Sequence, residues 1–156
     1  MKRLLALLIG CTCCEAKSIV TDDLVDKFAV IESNYNFNAV GDNGKALGAW
    51  QMHKSAFQES LNSIHRRTGS DWSEVWTWDK KTLSYPNISR FIAKEYMLIL
   101  EKQMLKMGYK PTPISLYMAW NMGFSGAKSH DFKYDSYDLD SKRVSILRRA
   151  NQILSR

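Results

Sequence analysis

Leu24-Val25-Asp26-Lys27-Phe28-Ala29-Val30-Ile31-Glu32-Ser33, followed by Gly41-Asp42-Asn43-Gly44-Lys45-Ala46-Leu47-Gly48-Ala49-Trp50-Gln51, is the stretch on which the reading of this chain turns. Leu24, Val25, Phe28 and Ile31 recur at helical spacing. Glu32 lies on their side of the helix, four residues after Phe28 and seven after Val25. A carboxyl group on the apolar side of a helix end is unusual. Low dielectric disfavours the charged form, so the spacing predicts a raised pKa. A carboxylic acid still protonated near neutral pH can give its proton to a leaving group. Cleavage of a glycosidic bond needs such a donor. The competing reading is a helix-end Glu paired with a Lys or Arg.

Working outward, Thr21 or Asp22 caps this first helix and Ser33 ends it. The alternating Asn of Asn34-Tyr35-Asn36-Phe37-Asn38 favours turns. Gly41 through Gly48 reads as a loop or tight hairpin. A second helix is expected from about Ser55 to Arg67, closed by Thr68-Gly69. Trp72, Trp76 and Trp78 fall in a short irregular or helical stretch. Pro86 opens the longest helix, which stops at Gly108 and is apolar on more than one side around Met97 to Leu100. That pattern marks the central buried helix. Thr112-Pro113 begins another helix, to about Asn121. Residues 123–140 read as a loop, and Asp140 or Ser141 caps a last amphipathic helix. Strand signals are weak, so the expected fold is mainly helical with a small loop or hairpin region.

The chain has 156 residues, which fits one domain after processing. Its net charge is +6 and its pI about 9.2. Such a balance favours anionic partners, among them nucleic acid, membrane surfaces and acidic wall polymers, or simply a solvated basic surface. No Lys/Arg-rich tract marks a nucleic-acid arm, and a nucleic-acid partner is not expected.

Residues 1–16 read as an export signal, with Met1-Lys2-Arg3 as the positive region and Leu4 to Gly10 as a short apolar run. All three cysteines, Cys11, Cys13 and Cys14, fall inside it. Residues 17–156 therefore hold no disulfide, Cys nucleophile or Cys-based metal site. Two processing routes compete. Cleavage after Ala16 gives a soluble periplasmic or extracellular domain starting at Lys17. Leu8-Ile9-Gly10-Cys11 alternatively looks like a lipobox, with a lipid on Cys11 as the one expected link to a membrane.

Four elements in register resemble the lytic-transglycosylase and goose-type branch of the lysozyme superfamily. They are Glu32-Ser33 at a helix end, Gly48-Ala49-Trp50-Gln51, Asn87-Ile88 with Tyr96 on a long helix, and Ala119-Trp120-Asn121-Met122-Gly123. The match covers roughly residues 22–124. Three departures stand out: Trp120 in place of the usual Tyr, a one-residue longer Gly44 to Gly48 segment, and His53 where Met is frequent. The resemblance implies a lysozyme-like domain over 17–156, with the hairpin beside a catalytic cleft. It implies peptidoglycan as substrate, cut between N-acetylmuramic acid and N-acetylglucosamine.

On that resemblance Glu32 is the acid/base. Gln51 and Asn121 are carried over as amides that contact the acetamido groups, or else bond the loop backbone. Trp120 and Tyr35 are candidates for stacking on sugar faces. Ser33 either holds the Glu32 carboxyl or ends the helix. Gly48 permits a close backbone approach. Asp42 is a second carboxylate or, preferred, a turn-forming side chain. His65 and His130 are expected at the surface, and no metal, nucleotide or redox cofactor is implied. The leading expectation is a lyase that leaves 1,6-anhydro ends. A hydrolytic muramidase and a glycan-binding protein without activity are the alternatives.

Overall fold

Thr21 starts the first helix by accepting a hydrogen bond from the Leu24 N–H, and acids follow in the first turn. The computed structural model describes residues 17–156. The expected export signal, both expected processing routes and the three cysteines lie outside the described residues.

Helix α1 (Asp22–Ser33) ends at Asn34, whose left-handed backbone and N–H bond to the Val30 carbonyl close it. Strands β1 (Val40–Gly41), β2 (Ala46–Leu47) and β3 (Met52–His53) then form a small antiparallel sheet in the order β1-β2-β3. Val40 pairs with Leu47, and Leu47 with Met52. Helices α2 (Lys54–Thr68), α3 (Lys80–Ser84), α4 (Pro86–Lys106), α5 (Pro113–Met122), α6 (Phe124–Ser129) and α7 (Ser141–Leu154) complete the domain. The mainly helical class with a small hairpin region is as the sequence predicts.

Helix α4 is the centre, packed against α1, α2, α3 and α5. Ile92, Ala93, Met97, Leu100 and Met104 are buried along it. Two acids are buried there as well, and both are fully engaged. Glu95 accepts from the Ser63 hydroxyl and the Arg67 guanidinium at 2.8 Å each. Glu101 accepts from the Ser18 hydroxyl and, at 2.7 Å, the Ile19 N–H. Pairing of this kind is what lets charged groups sit in a core.

Residues 123–140 are not all loop. Phe124–Ser129 forms α6, which buries Ala127, and Phe132 folds back into the core beyond it. The segment is too short and too polar to show a helical period, so only tertiary packing fixes it. His130 is not a free surface residue: it is partly buried and paired with Asp138 at 2.8 Å. His65 is exposed.

Trp72 and Trp76 stack at 4.7 Å, and Trp76 meets Phe91 edge-on. Trp78 donates its indole N–H to the Met52 carbonyl, tying the 70–79 segment to the sheet. Gly48 (φ +74) lies where the Leu83 backbone crosses the hairpin. A Cβ there would stand 2.8 Å from the Leu83 carbonyl oxygen. Gly48→Ala should cost on the order of 2 kcal/mol in urea unfolding, from backbone strain and this contact. Gly44→Ala, at φ +90 with open space around it, should cost less. Equal losses would show that the crossing at Leu83 contributes nothing.

Candidate active site

Glu32 is the last residue but one of α1, one turn beyond Phe28, which meets Tyr117 and Trp120 of α5, and it shares a cavity with hairpin residues. Its carboxyl is largely buried, and Oε1 has no hydrogen-bond partner. Burial pushes its pKa up to about 7. The nearby charge of Asp42 adds to the rise. The Tyr117 hydroxyl, the Asn121 amide and the distant Arg149 charge work against it. The acid is therefore poised between its two protonation states near neutral pH.

Tyr117 and Asn121 reach Glu32 together because they stand one turn apart on α5. Thr112 and Ser115 set that helix by a capping box. Burial and the neighbouring Glu32 raise the Tyr117 pKa, which keeps the phenol protonated. Phe28 and Tyr96 meet the Trp120 ring edge-on, at 5.7 and 5.5 Å. Trp120 is thus fixed as a wall, with one part packed and another on the cavity.

The cavity beside Glu32 has a volume of about 400 Å³. It is walled by Asp42, Gln51 and His53 from the hairpin, by Trp120 and Asn121 from α5, and by Lys142 and Arg143 from α7. Glu32, Asp42, Gln51, Trp120 and Asn121 thus line one cavity. Ser33, Tyr35 and Gly48 do not. The Ser33 hydroxyl donates to the Ala49 carbonyl at 2.8 Å and accepts from the Asn36 N–H at 2.9 Å, so it ends the helix and pins the hairpin. Tyr35 donates its hydroxyl to Asp26 at 2.9 Å and rests against Phe37 and Trp50, away from the cavity. Asp26 in turn holds Arg90. Gly48 is buried under Leu83.

The two amides are each half engaged. Gln51 donates its Nε2 to the Gly48 carbonyl at 2.9 Å, leaving Oε1 as an acceptor. Asn121 Oδ1 accepts from Arg143, leaving Nδ2 as a donor. Asp42 does not use its side chain to close the turn. It pairs with His53 Nε2 at 2.9 Å.

Tyr117, His53, Lys142 and Arg143 are the residues that sequence reading misses. Tyr117 had a signal, since it precedes Asn121 by one helical turn. The α7 residues had none, because their place at the cleft depends on how the last helix docks. Among the described residues no group of His, Cys, Asp and Glu is arranged to hold a metal. No described helix is long and apolar enough to cross a membrane. Neither a protein-family model nor a curated protein matches the chain.

Proposed function

We propose that this protein cleaves the glycan strands of peptidoglycan between N-acetylmuramic acid and N-acetylglucosamine. One observation carries the reading: a buried carboxyl with an unpartnered oxygen and a pKa near 7, at a cleft lined by two half-engaged amides. An acetamido group carries one N–H and one carbonyl. Gln51 Oε1 offers the acceptor, and the Asn121 amide nitrogen, which turns one N–H toward Glu32, keeps a second as the donor. The export signal expected over 1–16 would agree with a substrate outside the cytoplasm.

In the proposed reaction the protonated Glu32 gives its proton to the glycosidic oxygen as the bond to C1 breaks. The oxocarbenium-like centre is trapped by the substrate's own acetamido carbonyl. Glu32, now a carboxylate, removes the proton from the C6 hydroxyl, and that oxygen closes on C1. The acetamido group is released, a 1,6-anhydro sugar forms, and Glu32 ends protonated again. No water is consumed.

Hydrolysis is the second reading, and Asp42 is the observation that favours it. Held by His53 on the same cavity, it is a second carboxylate that can orient a water. Mass spectrometry of peptidoglycan digested with residues 17–156 separates the two. Anhydro ends are the expected product. Reducing ends that disappear in Asp42→Asn would replace the lyase with a muramidase. No cleavage by folded protein that still binds glycan would leave only a binding role.

A further inference from the structure

The α7 wall of the cleft has no part in the chemistry just described. Lys142 and Arg143 stand on the first turn of α7 and line the same cavity as Glu32. Neither has a carboxylate partner among the described residues. Most described lysines and arginines are likewise without an acid partner, Lys27, Arg67, Arg90 and Lys94 being paired, so it is their place on the cavity that sets Lys142 and Arg143 apart. Arg143 directs one amino group at Asn121, through its Oδ1 and backbone carbonyl, and keeps its other donors.

Neither Asp42 nor Asp140, the other carboxylates on this cavity, pairs with the Lys142 or Arg143 side chain. Asp42 pairs with His53, and Asp140 accepts from the Arg143 backbone N–H at 2.9 Å. Asp140 keeps its charge beside the two cations, but as the N-cap of α7 it faces the backbone, and Lys142 and Arg143 still present donors to a recessed site that an anion could enter. Guanidinium and ammonium together suit a carboxylate, the first as a planar fork and the second as a point charge.

We propose that Lys142 and Arg143 form a carboxylate subsite beside Glu32. The substrate class is then a glycan with an acid group on the sugar next to the cut, rather than a neutral N-acetyl glycan such as chitin. This rests on the glycan-cleaving reading above. A peptidoglycan strand supplies such a group from two sources. A bare strand offers the lactyl carboxylate itself, and a substituted strand offers the carboxylates of its stem peptide. Because Arg143 also holds Asn121, a bound anion steadies the amide that meets the acetamido group.

Calorimetric binding to the Glu32→Gln protein, which leaves substrate uncut, tests this. The probes are four tetrasaccharides. Three alternate N-acetylglucosamine and N-acetylmuramic acid and carry a free lactyl carboxylate, a lactyl carboxamide or a stem peptide. The fourth is chitotetraose. A carboxylate-bearing strand should bind roughly tenfold more tightly than the carboxamide, as one charge-assisted hydrogen bond allows. The advantage should shrink with salt, vanish when Lys142→Gln is added, and survive Lys142→Arg. Tighter binding of the bare strand assigns the lactyl carboxylate, and tighter binding of the peptide-bearing strand assigns the peptide. Equal affinity for carboxylate and carboxamide, or an advantage untouched by Lys142→Gln and Arg143→Gln, overturns the subsite. Cleavage by the unsubstituted protein would then leave the catalytic reading standing. Failure to bind or cleave any of the four overturns both.

Discussion

Glu32→Gln should lower glycan cleavage by about two to four orders of magnitude, the usual contribution of a positioned acid. The same substitution should make the protein more stable at pH 8. The two effects have one cause. The Glu32 pKa of about 7 in the folded protein lies above the ordinary 4.5. The folded state therefore binds that proton more tightly than the unfolded chain does. Stability from this group is fully present below about pH 4.5 and is lost as the pH rises through about 7. The gap corresponds to roughly 3 kcal/mol as an upper figure. Gln is neutral at every pH and fits nearly the same space, so the variant escapes that loss. Urea unfolding at pH 5 and pH 8 reads it directly. The wild type should weaken between the two, and the variant should not follow it. Cleavage by the wild type should decline above about pH 7 as the donor ionises. Parallel stability curves for the two proteins would mean that Glu32 does not titrate in this range.

Trp50→Ala should cost on the order of 3–5 kcal/mol, as for other large aromatic truncations in a core. Trp50 is only 1% exposed, yet it lies on the short segment between β2 and β3. Its indole N–H donates to the Val25 carbonyl at 2.8 Å, which fastens the hairpin to α1. Tyr35 and Phe37 cover its ring at 5.9 Å each. Without the indole the segment carrying Gln51 keeps only the Ser33–Ala49 bond as a side-chain anchor on the helix that carries Glu32. Activity should fall with stability. Trp50→Phe keeps most of the apolar contact and loses the donor, so about 1–2 kcal/mol is expected. Denaturant titration of both variants checks the order. A Phe variant as damaged as the Ala variant would assign the stabilisation to the indole N–H rather than to burial.

The helical elements were legible because their signals are local. Thr21, Thr112 with Pro113, and Asp140 stand where the caps form. The breadth of apolar residues on α4 announced its burial. Glu32 was legible as well, since its position relative to Val25 and Phe28 places it on the apolar side before any tertiary contact is known. The roles of Ser33, Tyr35 and Asp42 were not. Each depends on a partner brought near by folding: Ala49 for Ser33, Asp26 for Tyr35 and His53 for Asp42. Arg143 was invisible for the same reason, since its partner Asn121 lies 22 residues earlier on another helix. Short polar segments such as 124–129 carry too few apolar residues to show a period, and α6 passed as loop.

The backbone between Asn34 and Gln51 has a bearing on how this protein would change under mutation. Asn34, Tyr35, Asp42, Asn43 and Gln51 all hold positive φ, although none is glycine. Asn and Asp tolerate that conformation, whereas Tyr35 at φ 66 and Gln51 at φ 47 do not. Glycine at Gln51 would relax the chain, just as Gln at Glu32 would remove a buried charge. The first change favours folding, the second does so once the pH nears 7, and both disable the cleft. A lineage selected only for a stable domain would drift downhill out of this arrangement, because two of its stabilising steps are at residues that face the cavity. Libraries screened for heat resistance alone should therefore enrich inactive proteins, so a screen for sturdier variants has to score bond cleavage alongside survival.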